Sequence, residues 1–302
     1  MDCLQFEYND TNAPVLPPDS QLCPQKGVGY PIHYKTANEA REAYQMGMKL
    51  PGGKFKKRKY LSGSSYQHIF MEHARIVDVR DYGGLLDLRI RLNDGSISLL
   101  KVRDLNLEVD AMIEIKDFSE RCDKRSKVRG SAQDHGYMYA FGRFTKESNY
   151  VSMKADEMNI RRYTEVSKSV LRKYFKDELE EIMTADRNQG VTPLESMGGE
   201  DGISSYCLVS EDLVNAGHYD LDTSVGVSVF NEKVPGTAKD WFFVLPNTVI
   251  VGENDEKAVI IKLFDGCTIC WDGRKVFHCT GTKEVGEGNH LYGNYWGGKK
   301  YK

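Results

Sequence analysis

The sequence predicts an α+β chain: a jelly-roll core, or double-stranded β-helix, with supporting helices and a β-rich N-terminal extension. Three observations predict it. After about residue 205, short segments rich in β-branched and aromatic residues follow one another closely, punctuated by Pro235-Gly236, Asp265-Gly266, Asp272-Gly273 and Gly286-Glu287-Gly288. A stretch with helical periodicity precedes them. Further strand-like runs lie upstream, between about 70 and 117.

Taken in order, residues 1–65 read as an N-terminal arm, 66–150 as a β-rich region packing on the core, and 151–302 as the jelly roll with its preceding helix. The arm holds Pro14, Pro17, Pro18, Pro24, Pro31 and Pro51, with a short helix expected over Ala37 to Met48. Ala74–Val79, Leu85–Leu92, Ile97–Val102 and Val109–Ile115 read as strands of a meander, and Asn93-Asp94-Gly95 signals the tight turn joining two of them. From Thr164 to Met183, Val166, Val170, Leu171, Tyr174, Leu179, Ile182 and Met183 recur at three- and four-residue spacing, which predicts one amphipathic helix. Thr184 to Gly202 reads as a loop. Tyr206–Val209, Gly217–Phe230, Trp241–Leu245, Ala258–Phe264, Cys267–Trp271, Lys275–Thr280 and Leu291–Trp296 are the expected core strands.

Composition bounds the function. With 40% apolar and 28% charged residues in 302, the chain is ordinary for a globular protein. No apolar run approaches the roughly 20 residues of a membrane span, and the opening MDCLQFEYND lacks the pattern of a secretory signal. The expectation is therefore an intracellular protein without a membrane partner. Seven irregularly spaced cysteines read as reduced thiols. The net charge of -3 conceals two basic clusters: Lys54, Lys56, Lys57, Arg58 and Lys59, then Arg121, Lys124, Arg125, Lys127 and Arg129. Such clusters suit phosphate neutralisation or nuclear import, and equally a solvated loop.

Chemistry concentrates at Gly217-His218-Tyr219-Asp220-Leu221-Asp222, where strand alternation puts His218, Asp220 and Asp222 on one face. A His-x-acid pair is expected by chance in a chain with seven histidines and 44 acids, so its weight comes from position. The pair opens a predicted strand, and His278 ends another 60 residues later. An imidazole and a carboxylate two positions apart, joined by a distal histidine, make the 2-His-1-carboxylate set that holds non-haem Fe(II) with sites left open. His290, at the border of the last strand, is the alternative third ligand.

The strings Asp240-Trp241-Phe242-Phe243-Val244-Leu245-Pro246-Asn247 and Phe264-Asp265-Gly266 through Trp271-Asp272-Gly273-Arg274-Lys275-Val276-Phe277-His278-Cys279-Thr280 resemble the Fe(II)/2-oxoglutarate-dependent dioxygenases. Within that superfamily they resemble the TET/JBP nucleobase oxygenases, especially the divergent algal, fungal and viral forms. The resemblance spans roughly residues 205–300. It implies that His218, Asp220 and His278 ligate Fe(II), that 2-oxoglutarate chelates the metal, and that 5-methylcytosine or thymine in DNA is oxidised at its methyl group. It also implies that Asp222 is a supporting residue or an alternative ligand. A basic residue on the last strand usually grips the far carboxylate of the co-substrate, yet Leu291-Tyr292-Gly293-Asn294-Tyr295-Trp296 has none. Arg274, Lys283 and Lys262, with Thr280 or Tyr292 as hydroxyl donors, stand in as candidates, and ascorbate is an alternative reductant. Tyr219, Trp241 and Trp271 are candidates to stack on a flipped base.

Other readings compete. A protein or small-molecule hydroxylase shares the metal set, and a non-catalytic jelly roll that binds nucleic acid shares the basic clusters. Cys267-x-x-Cys270, with Cys279 nearby, raises structural zinc, but an offset of three on a strand puts the two thiols on opposite faces.

Overall fold

The computed structural model describes residues 3–8, 75–92, 96–122, 125–126, 133–142, 157–215, 218–220, 222–237, 241–245, 248–250, 259–282 and 288–298. In chain order the strands are β1 (Cys3–Tyr8), β2 (Arg75–Val77), β3 (Leu85–Arg91), β4 (Ile97–Asp104), β5 (Arg125–Ser126), β6 (Gln133–Gly142), β7 (Tyr206–Asn215), β8 (Gly226–Glu232), β9 (Trp241–Leu245), β10 (Thr248–Ile250), β11 (Val259–Lys262), β12 (Cys267–Trp271), β13 (Cys279–Thr282) and β14 (Leu291–Gly297). The helices are α1 (Val109–Arg121), α2 (Glu157–Tyr174) and α3 (Lys176–Asn188).

A larger sheet runs β10-β1-β3-β4-β12-β8-β14-β7-β6-β5, and a smaller one β13-β9-β11-β2. Their facing sides share one core. Leu88, Val102, Phe230 and Ile269 of the larger sheet meet Phe243, Val244 and Ile260 of the smaller. Two apolar sheet faces cannot be left wet, and stacking them is the jelly-roll solution. On the other side of the larger sheet, Met112 and Ile115 of α1, Ile160 and Leu171 of α2, and Ile182 of α3 cover Val209, Val227, Val229 and Trp296. The buried Asn294 of β14 ties two helices to the sheet, because its Oδ1 accepts from Tyr163 Oη at 2.7 Å and Ser119 Oγ at 3.0 Å. The upstream strands are continuous with the core: β4 pairs with β12, and β6 with β7.

Four expectations are corrected. Val109–Ile115, read as a strand, opens α1: Met112, Ile115 and Phe118 are buried at three-residue spacing, while Val109 and Ile113 face solvent. Tertiary burial on a 3.6-residue period outweighs the β-propensity of Val and Ile here. The single helix over Thr164–Met183 is two helices, starting earlier at Glu157 and breaking at the buried Phe175, whose φ of -136° leaves the helical region. The long strand Gly217–Phe230 is divided: β8 begins at Gly226, and His218 sits in a separate single bridge. Lys275–Thr280 is shortened because residues 272–276 form a turn, leaving β13 to start at Cys279. The sequence pattern does not predict β1, β5, β6 or β10. The helix expected over Ala37 to Met48 and the turn Asn93-Asp94-Gly95 lie outside the described residues, although β3 and β4 pair antiparallel as that turn requires.

No helix among the described residues is long and apolar enough to cross a membrane. Cys207, Cys267, Cys270 and Cys279 are buried thiols in no disulfide among the described residues, and Cys267 and Cys270 belong to the cores on opposite sides of β12, as their offset requires. Burial pushes the Cys207, Cys267 and Cys270 thiols well above their ordinary range. Since the thiolate is the reactive form, these three cysteines should alkylate in native protein at least about tenfold more slowly than the half-buried Cys122. Mass spectrometry after timed iodoacetamide treatment measures this, and early labelling of Cys267 or Cys270 would contradict the packing.

Candidate metal centre

The centre is assembled where the chain leaving β7 meets the chain entering β13. His218 and His278 form an isolated antiparallel bridge, exchanging both backbone hydrogen bonds: His218 N–H donates to His278 O at 3.0 Å and His278 N–H to His218 O at 3.1 Å. Two residues on, Asp220 N–H donates to Gly273 O at 2.8 Å. The turn after β12 brings Gly273 there. Asp272 O accepts from the N–H groups of Lys275 and Val276 at 3.0 and 3.1 Å, closing it. Glycine at 273 leaves room for Asp220 as it stands, because a Cβ there would lie 1.9 Å from Asp220 Oδ2 and push the carboxylate aside.

Three donors converge. Asp220 Oδ1 lies 3.5 Å from His218 Nε2, Asp220 Oδ2 lies 3.5 Å from His278 Nε2, and one ligand atom from each residue falls within 4.8 Å of the others. Both imidazoles are buried, and Phe243 stacks on His278 with ring centroids 5.3 Å apart and planes at 15°. His278 Nδ1 lies 3.0 Å from Val276 O, and a carbonyl only accepts, so Nδ1 carries the proton. In the neutral ring that leaves the lone pair on Nε2, facing the cluster, the tautomer a metal ligand needs. Two imidazoles and a carboxylate on one side of a mostly apolar pocket fit a divalent iron of the facial-triad kind.

Other predicted residues fall elsewhere. Asp222 is held by the phenols of Tyr206, at 3.2 Å, and Tyr295, outside the three-donor cluster. Burial first, then the Asp222 and Asp220 carboxylates, pushes the Tyr295 phenol far up, so it donates. His290 does not join the cluster: its Nδ1 lies 2.7 Å from Asp212 Oδ2, in a group with Glu211 at the start of β14. Arg274 spends its fork on Asp272, with Nε and Nη2 at 2.6 and 2.8 Å, and also reaches Thr223 O and Glu181, tying the turn to α3.

Beside the cluster lies a cavity of about 60 Å³, walled by Leu208, Phe230, Trp241, Phe243, Trp271 and Tyr295 among others. Thr280 lines it, whereas Arg274 and Lys262 do not; Lys283 lies outside the described residues. Trp241 and Trp271 also line it, but Tyr219 packs on Phe277 at 5.3 Å. Of the basic clusters, Lys54, Lys56, Lys57, Arg58, Lys59, Lys124, Lys127 and Arg129 lie outside the described residues, and Arg125 is placed only as backbone in β5. Sequence reasoning missed Gly273, whose role needs the turn and Asp220 to be neighbours, and the neutral cavity residues Asn215 and Ser228.

No family model matches the chain, and no curated protein matches it. Solved structures do. NgTET1 in complex with 5mC DNA aligns with a TM-score of 0.46 and 12% identity, over 78% of this chain and 85% of that one. A Pseudomonas putida prolyl-4-hydroxylase aligns at 0.36 and 9%, over 67% and 92%. An oxidoreductase of the 2OG-Fe(II) oxygenase family from Burkholderia pseudomallei aligns at 0.36 and 12%, over 63% and 81%. At these scores the reading of the centre rests on the chain's own residues.

Replacing Gly273 by alanine should displace the Asp220 carboxylate and weaken Mn(II) binding at least about tenfold, comparably to His218→Ala, with the thermal transition retained. Electron paramagnetic resonance titration reads it; unchanged affinity in Gly273→Ala would show that Asp220 is not a ligand.

Proposed function

We propose that the chain is an Fe(II)-dependent oxygenase using 2-oxoglutarate to hydroxylate a C–H bond, and that its substrate is the methyl group of 5-methylcytosine or thymine in DNA. The observation that carries the reaction class is the convergence of His218, Asp220 and His278 on one point in the wall of a mostly apolar cavity. Iron held there with a 2-oxo acid supplies oxygen activation, a chemistry no side chain provides alone.

The chain's own residues do the positioning. The double backbone bridge sets the two imidazoles at a centroid distance of 4.5 Å, and Val276 O fixes the His278 tautomer. Gly273 leaves the space that Asp220 fills. Phe243 and Trp271 pack on His278, stacked and edge-on, and keep bulk water from that ligand. Leu208, Leu213, Leu263 and Leu291 extend the apolar wall, which protects a reactive centre from side reactions.

The substrate reading is supported by the resemblance of residues 240–280 to nucleobase oxygenases and by the two basic clusters, which suit a phosphate backbone. A methyl group inside a duplex is out of reach of a buried metal, so the base must leave the stack. Trp241 and Trp271 on the cavity wall offer it aromatic surface.

Protein loaded anaerobically with Fe(II), then given 2-oxoglutarate, O2 and methylated DNA, should yield oxidised nucleosides and succinate, read by mass spectrometry. His218→Ala and Asp220→Ala should lower product by about 10³-fold or more, the scale of losing an essential catalytic group. Succinate without oxidised bases would move the substrate to a protein or small molecule. Salt-dependent DNA binding by iron-free protein that never yields succinate would make it a binding module.

A further inference from the structure

The cavity beside the three-donor cluster holds polar groups that the fold itself does not use. Asn215, the buried last residue of β7, has a fixed amide orientation: its Oδ1 accepts from Thr280 N–H at 2.6 Å, with Thr280 Oγ1 3.0 Å away. A backbone N–H only donates, so the oxygen must face β13 and the Nδ2 protons face elsewhere. Among the described residues Nδ2 has no hydrogen-bond partner, and Asn215 lines the cavity. Ser228 of β8 is buried on the same cavity, and its Oγ likewise has no partner among the described residues. The neighbouring hydroxyls are engaged: Ser210 donates to Gly293 O, Thr280 to Leu213 O and Tyr295 to Asp222.

The fold leaves both donors unused, so two of them in one cavity wall point to an acceptor that arrives with a ligand. Among the described residues no Lys or Arg lines this cavity. A charged far end placed there would be met by dipoles, not by a formal charge.

We infer that Asn215 and Ser228 anchor the oxygen-bearing end of the organic co-substrate, a 2-oxo acid, with an uncharged amide and hydroxyl in place of the cationic grip. The inference rests on the oxygenase reading and deepens it. An amide contributes two N–H donors and a hydroxyl one, enough to satisfy a carboxylate or another oxygen acceptor. Because the grip is neutral, selection at this end follows shape and acceptor position and depends little on charge.

Binding to the intact protein loaded with Mn(II) under nitrogen, followed by calorimetry and by tryptophan fluorescence, tests this without turnover. Asn215→Asp keeps the oxygen that Thr280 uses and removes the donors; Ser228→Ala removes one oxygen atom and is the safer variant should the first destabilise the fold. Each should weaken 2-oxoglutarate binding at least about tenfold, while Mn(II) affinity does not fall. On the wild type, the C5 amide of 2-oxoglutarate should bind within about fivefold of the acid, whereas a cationic anchor would separate them by about 100-fold. Unchanged 2-oxoglutarate binding in both variants overturns the inference, as does loss of binding in Lys283→Ala alone. So does a Mn(II)-loaded wild type that takes no 2-oxoglutarate. A wild type that binds no Mn(II) sinks the oxygenase reading itself.

Discussion

The centre depends on a pair of main-chain hydrogen bonds. His218 and His278 are far apart in sequence, and what brings their imidazoles together is a single reciprocal bridge between their own backbones. Paired residues in an antiparallel bridge present their side chains on the same side, so this one register decides that both rings address one point. Asp220 follows because a residue two positions along an extended chain returns to that side. A shift of register by one would turn His278 away and dissolve the cluster.

The rest of the fold holds that bridge in place. β13 is fixed by β9, and β7 by β14 and β6, so the two chain segments enter the site from well-paired strands. The helices lie on the far side of the larger sheet and take no direct part, except that Glu181 of α3 reaches Arg274 in the turn carrying Gly273. Arg103 shows the same economy of polar groups away from the centre: buried, it donates to Leu86 O and Val102 O and pairs with Asp87 at 2.7 Å. Such a guanidinium is tolerable inside only because each end finds an acceptor.

What could be read from the residues was the part carried by spacing. His218 and Asp220 declare themselves by their alternation, and His278 by its place at the end of a strand-like run, so the three donors converge although the segment around His218 is not the regular strand expected. The layered β architecture was legible from turn glycines and β-branched runs. α1 was not, since Val109, Ile113 and Ile115 have strand propensity and only the buried Met112, Ile115 and Phe118 reveal the helical face. Arg274 looked like a co-substrate cation because charge was the only criterion available; the turn shows its fork already filled by Asp272. Asn215 and Ser228 carry neither charge nor pattern, and their standing depends on which of their hydrogen bonds are missing, a property of three-dimensional packing alone.

The crowding at Gly273 has an evolutionary corollary. A methyl group at 273 and a carboxylate at 220 compete for the same volume. Along any lineage of this chain the two positions are thus coupled: with an aspartate at 220 a larger residue at 273 displaces the carboxylate from the cluster, while loss of the acid releases the constraint. Substitution at 273 would then serve as a fossil mark of a descendant in which the three-donor cluster had already come apart.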